Sequence, residues 1–142
     1  MTDQDMKAQE PKHPKPLTSW KIEVYGRYSE HSYEIRSRNF DDGTTVYQTA
    51  VCVGELKSDK DLDILTDMAD YLGLTFVKYR EPRDRDWLNG HVPLDKKMVV
   101  TYIAPYSVSD PRKVIEYQMD KMHEFVSAWD RCFVKEGRVC KE

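Results

Sequence analysis

The segment 111–135 limits the fold more than any other part of the chain. Asp110 followed by Pro111 supplies a helix N-cap and a first helical residue whose missing N–H is no loss there. Gly137 stands where a helix ends on a left-handed residue. Between these ends Ile115, Met119, Met122, Val126, Trp129 and Phe133 recur at alternating spacings of four and three, and Val114, Tyr117, Phe125 and Cys132 widen the stripe. A helix this apolar along one side has to be covered. The economical cover is the chain's own sheet in a two-layer domain. The alternative is self-association, with Met119, Met122 and Trp129 as anchors of a seam between two copies.

The 142 residues suit one domain with a sizeable core. Charged residues make up 33% of the chain, both signs are interspersed, and the net charge of −3 provides no general attraction to polyanions. No apolar run approaches the length of a membrane span, and the first residues lack the apolar core of a signal peptide. Cys52, Cys132 and Cys140 have no metal-type spacing and leave one thiol over after any bridge, so a reducing cytoplasm is the expected compartment and no cofactor is expected.

Residues 1–18 are polar and carry Pro11, Pro14 and Pro16, the composition of an extended N-terminal arm ahead of a single domain over 19–142. Apolar alternation begins at Trp20, with Ile22, Val24 and Tyr28 on one face and Tyr25 among charges on the other, and a second strand is expected over 32–39. Pairing Tyr28 with Tyr33 sets Arg27 opposite Glu34, Tyr25 opposite Arg36 and Glu23 opposite Arg38, which occupies the arginines. A third strand lies within 44–56, where Gln48, Ala50 and Cys52 form a row of small side chains. Ser58 and Asp61 read as a capping box for a helix bearing Leu62, Leu65, Ala69 and Leu72 and closed by Gly73; its outer side carries Asp59, Asp63, Asp67 and Asp70. Strands over 74–79 and 97–103 complete the order β-β-β-α-β-β-α. With connections this short, the expected fold is α+β, a mainly antiparallel sheet of about five strands covered on one face by two helices.

The stretch 80–95 between the last two strands is too long for a hairpin turn, and loops of this length in a compact domain are commonly binding elements. Its Arg80, Arg83, Arg85, Trp87 and His91 are the residue types that anchor interfaces, which makes a protein partner the first expectation. The structural alternative has Trp87 and Leu88 tucked back under the sheet edge. Arg80, Arg83 and Arg85 with Lys78, Lys96, Lys97 and Trp87 could also contact phosphates and stack on bases, but Glu81, Asp84, Asp86 and Asp95 dilute that field, so nucleic acid ranks second.

Catalysis is harder to assemble. The chain has neither a glycine-rich phosphate loop nor a nucleophile elbow, and His13, His31, His91 and His123 are scattered along it. The one acid/base set within a single segment is His91 with Asp86 or Asp95, a hydrolase-type arrangement that lacks a nucleophile. The sequence therefore favours a small non-enzymatic protein-binding module: an inhibitor, immunity-type protein, adaptor or assembly component of bacterial or viral type. It would act through the 80–95 loop with help from the arm, and homodimerisation is a further option.

Overall fold

The computed structural model describes residues 15–74, 76–83, 87–88, 96–102 and 110–140. Strands β1 (Lys21–Tyr28), β2 (His31–Asn39), β3 (Thr45–Cys52), β4 (Phe76–Arg80) and β5 (Met98–Tyr102) form one sheet in the order β1-β2-β3-β5-β4, with every neighbouring pair antiparallel. Helix α1 (Leu62–Tyr71) follows a 3₁₀ turn (Asp59–Asp61) and lies beside β4. Helix α2 (Pro111–Trp129) crosses β1, β2 and β3 and passes into a π-helical turn (Asp130–Val134). This is the expected α+β architecture, and both helices pack on the same face.

Period-two alternation explains which side chains meet those helices. Tyr33 and Ile35 of β2, Thr49 and Val51 of β3, Val99 and Thr101 of β5, and Val77 and Tyr79 of β4 line up across the register on the helix side. The aromatic centre of the core comes from α2 and the turn after it. Trp129, Phe125 and Phe133 are fully buried, with the Trp129 and Phe133 ring centroids 4.6 Å apart. Gln118 is the polar exception on this stripe, and it is matched by the Thr49 hydroxyl, which donates to its side-chain oxygen. Of the residues that could have formed a seam between copies, Met122 and Trp129 lie inside this core and Met119 packs partly buried at its margin.

The helix ends follow the sequence signals. The Asp110 carboxylate accepts from the Arg112 amide at 3.0 Å, and Gly73 and Gly137 take the positive φ values of 75° and 69° that end their segments. Two local expectations are corrected. Ser58 caps the 3₁₀ turn through the Lys60 amide at 3.2 Å, but Asp61 does not complete a capping box: its carboxylate is taken by the Arg138 guanidinium, 2.7 Å away. That arginine is in place because the tail turns back after Gly137, where Val139 bridges Leu56 and the Cys140 amide donates to the Glu55 carbonyl.

The β1–β2 register also differs from the charge-paired one. Tyr28 pairs with His31 and Tyr25 with Glu34, and the offset continues to a bulge at Glu23, whose carboxylate accepts from the Ser37 hydroxyl at 2.6 Å. The cause is a two-residue turn at Ser29 and Glu30, both at positive φ (48° and 69°), the arrangement of a type I′ turn built without the usual asparagine or glycine. At the other end of the hairpin, residues 15–18 run beside the end of β2, with the Leu17 amide bonded to the Asn39 carbonyl and the Asp41 amide to that of Lys15. Residues 1–14 of the expected arm lie outside the described residues.

Candidate functional site

The face of the sheet away from the helices starts from the small row foreseen in β3. Ala50 and Cys52, flanked by Met98 and Val100 of β5, leave a shallow apolar floor, and Trp87 from the long loop fills it. Only 3% of Trp87 is exposed. Beside it, β2 points Glu34 and Arg36 to the same side, and both are buried. The Arg36 Nε donates to Glu34 Oε2 at 3.1 Å, and the Leu88 amide donates to the same oxygen at 3.2 Å. The guanidinium lies 6.0 Å from the Trp87 ring centroid and approaches Gln48 Oε1 at 3.5 Å. A buried carboxylate thus holds one arginine and one loop amide with a single oxygen, and the indole covers the pair. Such a pair is costly to form and costlier to break on one side.

At the base of the loop, Lys97 Nζ meets Glu81 Oε1 at 3.1 Å, and Arg80 donates from Nη1 to the Glu81 carbonyl at 3.0 Å. Arg83 is exposed just beyond. Among the candidate partner-binding residues the structure therefore brings Arg80 and Arg83 to the start of the loop and sets Trp87 inward against the sheet. Arg85 and His91, like Asp86 and Asp95 of the acid/base set, lie outside the described residues. Trp87 does return to the sheet, but to its second face rather than beneath its edge, whereas Leu88 meets Glu34 through its amide and leaves its side chain exposed.

A second cluster escaped sequence reasoning. Ser29 Oγ donates to Asp130 Oδ2 at 2.7 Å, while His31 Nε2 lies 3.0 Å from Asp130 Oδ1 and His31 Nδ1 lies 3.0 Å from the Cys52 carbonyl. These residues border an open cleft of about 650 Å³, with Glu55, Lys96, Lys135 and Cys140 on its walls. The residue types are those of a hydrolytic triad, but the connectivity is not. In a triad the histidine faces the serine and the acid orients the histidine. Here serine and histidine both attach to the acid, and the second ring nitrogen is spent on a backbone carbonyl, so no base is left to activate Ser29. The arrangement clamps the strained β1–β2 turn to the first residue of the π-helical turn. Ser29 and Asp130 are 101 positions apart, and no local pattern could have signalled their meeting.

Burial perturbs two tyrosines on the helix face. The Tyr79 phenol, pushed up to about 12 chiefly by desolvation, accepts from the Leu56 amide at 2.7 Å; burial also raises Tyr47. Among the described residues no three His, Cys, Asp or Glu side chains are placed to hold a metal ion, and no helix is long and apolar enough to cross a membrane.

Fold and site together describe an α+β two-layer domain with Trp87 seated on the sheet's second face. No protein-family model, no curated protein and no solved structure matches the chain.

Proposed function

We propose that this chain is a small non-enzymatic protein-binding module, of the kind that serves as an inhibitor, immunity-type protein, adaptor or assembly component, and that its working surface is the 80–95 loop. One observation supports the reading above the others: the loop is fastened at its middle, where Trp87 packs on Ala50, Cys52, Met98 and Val100 and the Leu88 amide is held by Glu34. A loop anchored in this way loses less conformational entropy on binding than a free one, the condition for a preorganised recognition element. In this reading Trp87 is the internal pin rather than a contact, and Arg80, Arg83, Arg85 and His91 supply the recognition. Cys52, Cys132 and Cys140 form no disulfide with one another, which suits a reducing cytoplasm.

The test is affinity capture from the source cells with the tagged intact chain and with an Arg83→Ala, Arg85→Ala, His91→Ala variant of matched melting temperature. A protein held by the native chain and lost by the variant is the expected result. A protein retained equally by both would remove the loop from the reading, and recovery of nucleic acid in a salt-sensitive manner would replace it with the polyanion alternative.

A further inference from the structure

We infer that the outer edge of β4, which pairs with no other described strand, together with the groove between β4 and α1, is a docking site for an extended segment of a partner protein, which adds as a further strand with apolar side chains towards the groove and acidic ones on the opposite face. The inference shares with the proposed function only the premise that the chain binds proteins, and it concerns a different surface.

β4 closes one side of the sheet: among the described residues it pairs with β5 alone. A strand in this position offers a row of backbone donors and acceptors to any chain laid beside it. Backbone pairing by itself is unselective, so a recognition site needs pockets for alternate side chains. Here α1 runs beside the strand, and between the two lies a groove of about 380 Å³. Leu65, Thr66, Ala69 and Asp70 form its helix side and Val77 and Tyr79 its strand side. The spacing of three and four that brings Leu65 and Ala69 into the core also leaves Thr66 and Asp70 exposed along the groove's rim. Val77 and Tyr79 both face it because they are two apart on a strand, and Tyr79 is held still by the Leu56 amide.

Charge selects the occupant. Lys78, between those two residues, points to the other face and is exposed. Antiparallel pairing with a second copy about the middle of β4 would place Lys78 beside its own counterpart, a like-charge contact that disfavours self-association. A partner strand with an acidic residue at that position reverses the sign of the contact. On the groove side, Asp70 at the rim favours a cation at the end of an otherwise apolar row. The occupant is therefore an amphipathic extended segment, apolar with a basic terminus on one face and acidic on the other.

The probe is a displayed library of random peptides of about ten residues, the span of a long strand, selected against the intact chain. Selected peptides should carry the alternating apolar and acidic pattern, and on binding the synthetic peptide should slow hydrogen exchange in the amides of residues 76–80. Thr66→Arg, which fills the groove from an exposed helical position, should weaken that peptide by about tenfold or more at unchanged melting temperature; Lys78→Glu should weaken it and shift selection towards basic residues. Failure to select the pattern, unchanged exchange in β4, undiminished affinity for Thr66→Arg, or protection of β4 that grows with protein concentration in the absence of peptide would each overturn the inference. An Arg83→Ala, Arg85→Ala variant should bind the peptide normally, so failure of the loop reading and failure of this one are separately visible.

Discussion

The two faces of the sheet are buried by different means. On the helix side, α2 delivers Phe125 and Trp129, the π-helical turn that continues it delivers Phe133, and α1 adds Leu65, Met68 and Ala69. Each of these side chains is fixed by the helical segment that carries it. On the opposite side, among the described residues, one indole rests on four strand residues, with an arginine, a carboxylate and a backbone amide beside it. The first face is a core in which stability is spread over many contacts. The second depends on Trp87 being in place and on Glu34 keeping the Arg36 guanidinium and the Leu88 amide. A face assembled in this way is the better candidate for local opening, because lifting Trp87 and parting the Leu88 amide from Glu34 loosens it without disturbing the helices.

The largest effect that would test this contrast is Trp129→Ala. Removing a fully buried indole in contact with Phe133 and Phe125 should cost about 4 kcal/mol, the middle of the range for aromatic truncations. The urea unfolding midpoint should fall steeply. Trp87→Ala should cost less, about 2–3 kcal/mol, because the loop can settle into part of the space. Its hydrogen-exchange signature should be confined to residues 34–36, 48–52 and 98–100. Equal losses of global stability in the two variants would erase the distinction between a distributed core and a pinned one.

Glu34→Ala probes the polar half of the second face. It leaves Arg36 buried without its carboxylate and the Leu88 amide without its acceptor, and should cost about 2 kcal/mol or more. If Trp87 and Glu34 act as one fastening, the double variant should lose clearly less than the sum of the two single losses, a coupling measurable in a double-mutant cycle. Strict additivity would mean that the indole and the ion pair hold the loop independently.

How much of this was legible in the chain follows from the same physics. Asp110 with Pro111, Gly73, Gly137 and the apolar alternation gave the element order, because caps and periodicity are local properties carried within a few residues. The small row Gln48, Ala50, Cys52 was legible but did not say what would lie on it, because an aromatic in a long loop is equally compatible with an inward or an outward position until the sheet exists. The β1–β2 register was missed for a definite reason: Ser29 and Glu30 do not announce a type I′ turn, and the cost of their positive φ is offset by a bond from Ser29 to Asp130 at the far end of the sequence. The Ser29, His31 and Asp130 clamp was invisible for that reason too.

Tyr79 gives the helix face a pH signature. Its phenol is pushed up to about 12 by burial, above the 10.0 of an exposed tyrosine, so the folded state favours the neutral form. The stability linked to this group is fully present below pH 10 and is lost as pH rises through about 12. Ultraviolet titration should show a late tyrosinate in the native chain that is missing in Tyr79→Phe, while the raised Tyr47 is common to both. That substitution should also cost about 1 kcal/mol, through loss of the acceptor for the Leu56 amide. A native titration curve that Tyr79→Phe leaves unchanged in its alkaline limb would show that the phenol is not held neutral by its surroundings.

The smallest effect has the opposite sign. Glu30 occupies the second central position of the β1–β2 turn at φ 69°, where a side chain is strained and glycine is not. Glu30→Gly removes that strain but gives the unfolded chain more freedom, so the net gain should be modest, about 0.5 kcal/mol. Ser29 is different, since it shares the strain but also donates to Asp130, and Ser29→Gly should therefore destabilise even though it relieves φ. Measured side by side, the two variants separate turn strain from the clamp. If both stabilise, the bond to Asp130 contributes nothing and the turn's register is set by strand pairing alone; if both destabilise, the positive φ values are not a strain on this hairpin.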